Sequence, residues 1–173
     1  MRTIITLAAV LGAAAPSAPI VSFDPATDFH RFHSYDWVFV STPSGMDQNL
    51  YRQIRHAVDE SLGAHGFVHS DNADLAVAFT LGPRESVHAS DFGHYAPYYS
   101  SEEAAAHSKW VNHELADRST HSHTLAIDIY DAHTGHSIWH GVAPDPILPQ
   151  TRTAVIEHEV NQVVSLFPPK TQQ

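Results

Sequence analysis

The chain of 173 residues has no cysteine, so disulfides, thiolate metal sites and cysteine nucleophiles are all excluded. Positive charge is scarce. Nine Lys and Arg stand against 19 Asp and Glu, for a formal net charge of −10, and Lys109 and Lys170 are the only lysines. A protein that neutralises phosphates needs the opposite balance, so nucleic acid is not an expected partner. Long apolar runs are also missing, apart from Thr3 to Ala15. That run falls short of the roughly 20 residues that span a bilayer, and no transmembrane anchor is expected.

Histidine is what the chain has in abundance. Its 15 histidines titrate mainly between pH 5 and 8, and fifteen protonations would carry the formal charge from −10 to +5. The chain is therefore anionic above neutrality and prone to associate on the acid side, where mutual repulsion is lost. Hydrophobic residues make up 43% and charged residues 16%. At about 100–200 residues per domain, this length and composition fit one core and exclude global disorder.

Arg2, followed by the apolar Thr3–Ala15 run ending in small residues, reads as a secretory signal peptide. Pro16 and Pro19 would stop a buried helix early. Cleavage after Ala14 or Ser17 fits, with Ser17 preferred, giving a signal peptide over 1–17 and a single domain over 18–173. No cysteine closes the apolar run, so no lipid anchor is expected. The mature chain is expected in the periplasm, with an extracellular location as the alternative.

Ile20–Phe23 and Ser34–Val40 read as two short strands separated by a turn at Asp24-Pro25. From Asp47 the period changes: Leu50, Ile54, Ala57, Val58, Ser61 and Leu62 recur three and four residues apart, as on an amphipathic helix. Asp47 suits its N-cap and Gly66 its left-handed stop. Asp74–Leu81 is a nearly continuous apolar run suited to a central strand. Residues 83–121 read as an irregular insertion, with a weak helix pattern from Glu102 to Leu115 behind a capping box at Ser100 and Glu103.

Thr124–Asp131 and His136–Val142, joined by Ala132-His133-Thr134-Gly135, read as a hairpin. Pro144, Pro146 and Pro149 suggest a linker, and Thr153 a cap for a last helix bearing Ile156, Val160, Val163, Val164 and Phe167. The expected fold is α+β: a two-layer sandwich with a mainly antiparallel sheet of about five strands and two helices on one face, in the order β-β-α-β-insertion-β-β-α.

Several of these pieces, in this order and spacing, resemble the domain-of-unknown-function 4136 family of putative bacterial envelope lipoproteins. The resemblance runs from Ile20 to Pro169. It is carried by Phe23-Asp24-Pro25, Asp28-Phe29, Ser34-Tyr35-Asp36-Trp37, Ile54, Val58, Leu62, Gly66-Phe67 and Asp74-Leu75-Ala76-Val77. Leu125-Ala126-Ile127-Asp128, Asp131-Ala132, Thr134-Gly135, Ile138-Trp139, Gly141 and Phe167-Pro168-Pro169 complete it. The resemblance implies an exported two-layer α/β sandwich with no established activity and no catalytic residues to carry over. This chain departs from the lipoprotein members by lacking the acylated cysteine.

Trp37 and Trp139 are expected to be buried on the sheet, each indole N–H needing an acceptor. Asp128 alternates with Ile127 and Ile129, so it faces away from them, either to solvent or to a buried hydrogen bond; a structural partner is favoured over an acid–base role. His121 and His123 would share a face at the start of one strand, and His136 and His140 would share one on the next. Together they are the candidate metal ligands, for zinc, copper or nickel. His88, Asp91, His94, His107 and His113 form a second set in the insertion. No pair has a strong zinc spacing, and solvated surface histidines are the favoured reading, so no cofactor is expected. Tyr95, Tyr98 and Tyr99 beside Pro97 would be either a sticky surface or packing. No serine lies in a nucleophile elbow and no glycine run cradles a phosphate, so the chain reads as non-enzymatic. The expected role is a binding or accessory module of the envelope with a protein or small-molecule partner, and a metal buffer or carrier is the alternative.

Overall fold

The computed structural model describes residues 18–38, 46–81 and 123–169. The expected signal peptide and the expected insertion, with its histidines and tyrosines, lie outside the described residues.

Among the described residues, six strands form one sheet in the order β1-β6-β5-β4-β2-β3. They are β1 (Ile20–Phe23), β2 (Ser34–Trp37), β3 (Val68–His69), β4 (Leu75–Leu81), β5 (Thr124–Asp131) and β6 (Ser137–Pro146). The sheet is antiparallel from β1 through β4, while β2 runs parallel to both β4 and β3. The expected α+β class therefore stands, with one more strand than expected and a mixed sheet. β3 is only two residues long, too short to leave a pattern in the sequence.

Helix α1 (Gln48–Ala64) begins where the Asp47 carboxylate accepts from the N–H groups of Asn49 and Leu50, both at 2.9 Å. This satisfies two of the donors that a helix N-terminus leaves free. Beyond its end, Gly66 takes a φ of +89°, a backbone conformation that costs glycine little. Helix α2 (Thr153–Val164) starts differently from expectation. Arg152, which offers no capping bond, precedes it, while the Thr153 hydroxyl donates to Oε1 of Gln53 at 3.0 Å and links the two helices.

Strand β6 also exceeds its expected length, continuing to Pro146 where a linker was expected. Its pairing with β1 ends at Val142, so Pro144 and Pro146 fall where β6 has a single neighbour and proline is tolerated.

The two helices cover one face of the sheet. Ile54, Val58 and Leu62 of α1 and Ile156, Val160 and Val163 of α2 share one core with Val77, Phe79, Ile127, Ile129 and Trp139. The register aligns Trp37, Val77, Ile129, Trp139 and Phe23 in a single row across five strands. Gly141 sets the spacing of this layer: a Cβ there would lie 2.4 Å from the Trp139 ring and 2.5 Å from Val163. A backbone free of side chain lets the indole and α2 close on the sheet.

Candidate functional site

The opposite face carries no described helix and is built from small side chains. Ala76, Ala78, Ala126 and Val142 are buried there, with Tyr130, Ala132 and Val38 in a minor cluster beside them. Across its middle runs the row Ala78, Asp128, His140 and Ser22, one residue from each of β4, β5, β6 and β1. Directly opposed residues of paired strands bring their side chains together. Here the opposition places Nδ1 of His140 2.6 Å from Oδ1 of Asp128, and each residue is only 2% exposed. The favoured reading of Asp128 as a buried hydrogen-bond partner corresponds to this arrangement.

The carboxylate takes the Nδ1–H, which leaves Nε2 as the ring's other polar atom. Nε2 is buried and has no hydrogen-bond partner, and the same holds for Oγ1 of Thr80 and Oγ of Ser137. Thr80 opposes Ala126 and Ser137 opposes Tyr130, so all three atoms belong to the face that carries no described helix. A buried polar group left unpaired costs roughly 1–3 kcal/mol, and native proteins usually satisfy such groups with water, an ion or a ligand. On the core face, the indole N–H of Trp139 is also without an acceptor, whereas that of Trp37 donates to Asp59 at 2.8 Å.

The hairpin register keeps the described members of the histidine set apart. His123 immediately precedes β5, in a left-handed backbone conformation with φ +77°, and its carbonyl accepts from Ile147 at 2.8 Å. His136 lies outside β6, exposed in the turn at the other end of the hairpin, where its carbonyl accepts from Asp131. At about 3.3 Å per residue, the eight residues of β5 put about 25 Å between those ends. His140 sits between them on the buried face, so it does not share a surface with exposed His136. His121 lies outside the described residues. Among the described residues no group of three or more His, Cys, Asp or Glu side chains is placed to hold a metal ion.

Other carboxylates fasten the fold. Asp59 of α1 accepts from the Tyr35 hydroxyl and the Trp37 indole, both at 2.8 Å, and so pins the helix to β2. Burial, then the Asp59 carboxylate, pushes the Tyr35 phenol well above its ordinary range. Asp74 accepts from the N–H of His33 and from the N–H and hydroxyl of Ser34. Its partial burial pulls its pKa upward, but these bonds, with His133 nearby, outweigh that and hold it below the ordinary carboxylate value. Asp131 accepts from the N–H groups of His133 and Thr134 in the hairpin turn and pairs with Arg31. Sequence periodicity could not reveal these partners, because each lies across the fold or in a turn whose register only the structure fixes.

The sequence matches the family model described as Domain of unknown function (DUF4136) over residues 20–169. A solved DUF4136 family protein from Bacteroides thetaiotaomicron is similar in fold, with a TM-score of 0.54 and 12% identity over 90% of this chain and 97% of that one. A PDZ domain protein from Parabacteroides distasonis is similar with a TM-score of 0.51 and 16% identity over 91% of this chain. The present chain spans only 36% of that protein's length. No match is found among the curated proteins.

Proposed function

We propose, from the premise that the chain belongs to the DUF4136 family, that it is an exported, non-catalytic binding or accessory module of the bacterial envelope. Its binding site is placed on the sheet face that carries no described helix. The observation that carries this reading is the group of buried polar atoms without partners on that face, His140 Nε2, Thr80 Oγ1 and Ser137 Oγ, set among alanines. Enclosed apolar sites with a few directed polar groups are where small ligands and peptide side chains are recognised. The modular part draws support from the fold alone, which accounts for 97% of one solved chain and for about a third of a longer one named for its PDZ domain.

The non-catalytic part draws support from the carboxylates, since Asp47, Asp59, Asp74 and Asp131 each receive hydrogen bonds that hold local structure. The net charge of −10 favours an envelope protein or a small molecule over nucleic acid as the partner. Export is tested by producing the full chain in a Gram-negative host and fractionating the cells. The mature protein is expected in the periplasmic fraction with Ala18 at its N-terminus; uncut protein confined to the cytosol would contradict the reading.

A histidine-based metal protein is the second reading, and one observation favours it. Metal-ligating histidines usually give their other ring N–H to a carboxylate, which is what His140 does with Asp128. Calorimetric titration with zinc and copper, on chelator-stripped protein free of any histidine tag, separates the two. Stoichiometric binding accompanied by a rise in melting temperature, and lost in the His140→Ala or the combined His121→Ala and His123→Ala variant, would make metal primary. Weak heat spread over many sites, without stabilisation, would assign the histidines to the surface and leave the binding module.

A further inference from the structure

One buried ionisable side chain belongs to none of the arrangements above. Glu159 faces inward from α2 among Ile156, Val160, Val163 and Val164, and is 2% exposed. A charged carboxylate in such a place normally has a cation or several good donors around it. Glu159 instead receives the Asp145 N–H at 3.3 Å, longer than the 2.9–3.0 Å usual for such bonds. Asp145 also brings a second carboxylate. The charged groups acting on Glu159 are Asp145 from β6, which disfavours its negative charge, and His158 from its own helix, which favours it. From α1, the described link to α2 is neutral, between Gln53 and Thr153.

The location makes this conflict consequential. Asp145 lies in the part of β6 beyond Val142, past the reach of β1. That segment is tied to the sheet through Thr124 opposite Pro146 and through the Ile147 N–H to the His123 carbonyl. A change in how α2 grips Asp145 would be felt first at this end of the hairpin.

We propose that the contact between α2 and the end of β6 is a pH-sensitive latch, closed when Glu159 is protonated and loosened when Glu159 and Asp145 are both charged. Burial raises the Glu159 pKa above its ordinary value of 4.5; the Asp145 N–H opposes this, the Asp145 carboxylate adds to it, and His158 opposes it least. A raised acid stabilises the native state fully below its unfolded-state value, and that contribution is lost as pH rises through the folded-state value. Protonated Glu159 keeps an acceptor for the Asp145 N–H and no longer opposes the charge of the Asp145 carboxylate.

The test compares the full-length mature protein with its Glu159→Gln variant by amide hydrogen exchange and urea unfolding from pH 4 to 8. Protection of the Asp145 and Ile147 amides is expected to fall several-fold relative to the variant as pH rises. Parallel profiles in the two proteins would overturn the latch. If the variant does not fold, carbon-13 titration of the Glu159 carboxyl in the unaltered protein decides. A midpoint above 4.5 is expected, and one at or below 4.5 rejects the proposal.

Discussion

The two faces of the sheet differ in what fills them. The helix-covered face is packed with Trp37, Phe79, Ile127, Ile129 and Trp139 against two helices, and aromatic contacts such as Trp139 with Phe167, 5.5 Å between centroids, close it. The face that carries no described helix has alanines around the Asp128–His140 pair, and polar atoms that no described group satisfies. Large, interdigitated side chains contribute most of the burial energy and tolerate little change of volume. Small residues and directed polar atoms contribute less to stability and more to recognition. This contrast is the basis of the proposal that one face supplies stability and the other binds a ligand.

Substitutions that break this contrast should do so in a definite order. Trp139→Ala on the packed face is expected to cost about 3–5 kcal/mol by urea unfolding, as for large aromatic truncations in a core. Gly141→Ala, which forces a Cβ against Trp139 and Val163, should cost about 1–3 kcal/mol in the same assay. On the other face, Asp128→Ala removes the partner of His140 Nδ1 and should cost about 1–3 kcal/mol, whereas replacing both Asp128 and His140 by apolar residues of similar volume should recover much of that loss.

The smallest effect lies at the sheet margin. Asp74→Asn is expected to lose about 1 kcal/mol at neutral pH. Because the Asp74 pKa is lowered from 3.8, its contribution is present above that value and lost as pH falls through the folded-state value. The difference between the parent protein and the variant should therefore shrink on strong acidification; a difference unchanged with pH would contradict the role given to its hydrogen bonds.

Local order was legible in the sequence wherever local chemistry controls it. The α1 periodicity, the Asp47 cap, the Gly66 stop and the two arms of the hairpin all follow from residues close together along the chain. The parts that escaped depend on register or on partners distant in sequence. His140 opposes Asp128 because of a pairing interrupted by an irregularity between Ile129 and Tyr130, which turn length alone does not specify. The prolines after Val142 suggested a linker, yet at a position with one neighbouring strand they continue β6. Thr153 looked like a cap and instead donates to Gln53, one hundred residues away. Asp59 receives bonds from Tyr35 and Trp37, partners more than twenty residues away that helical periodicity does not reveal.

The proposal that the face without a described helix binds a ligand is tested most directly by a high-resolution crystal structure of the mature chain, examined at His140 Nε2 and Thr80 Oγ1. A water, ion or bound molecule within hydrogen-bond distance of both atoms, about 2.7–3.2 Å, is the predicted result. Side chains of the same molecule packed onto both atoms and satisfying them would contradict it, and would make this face a second core.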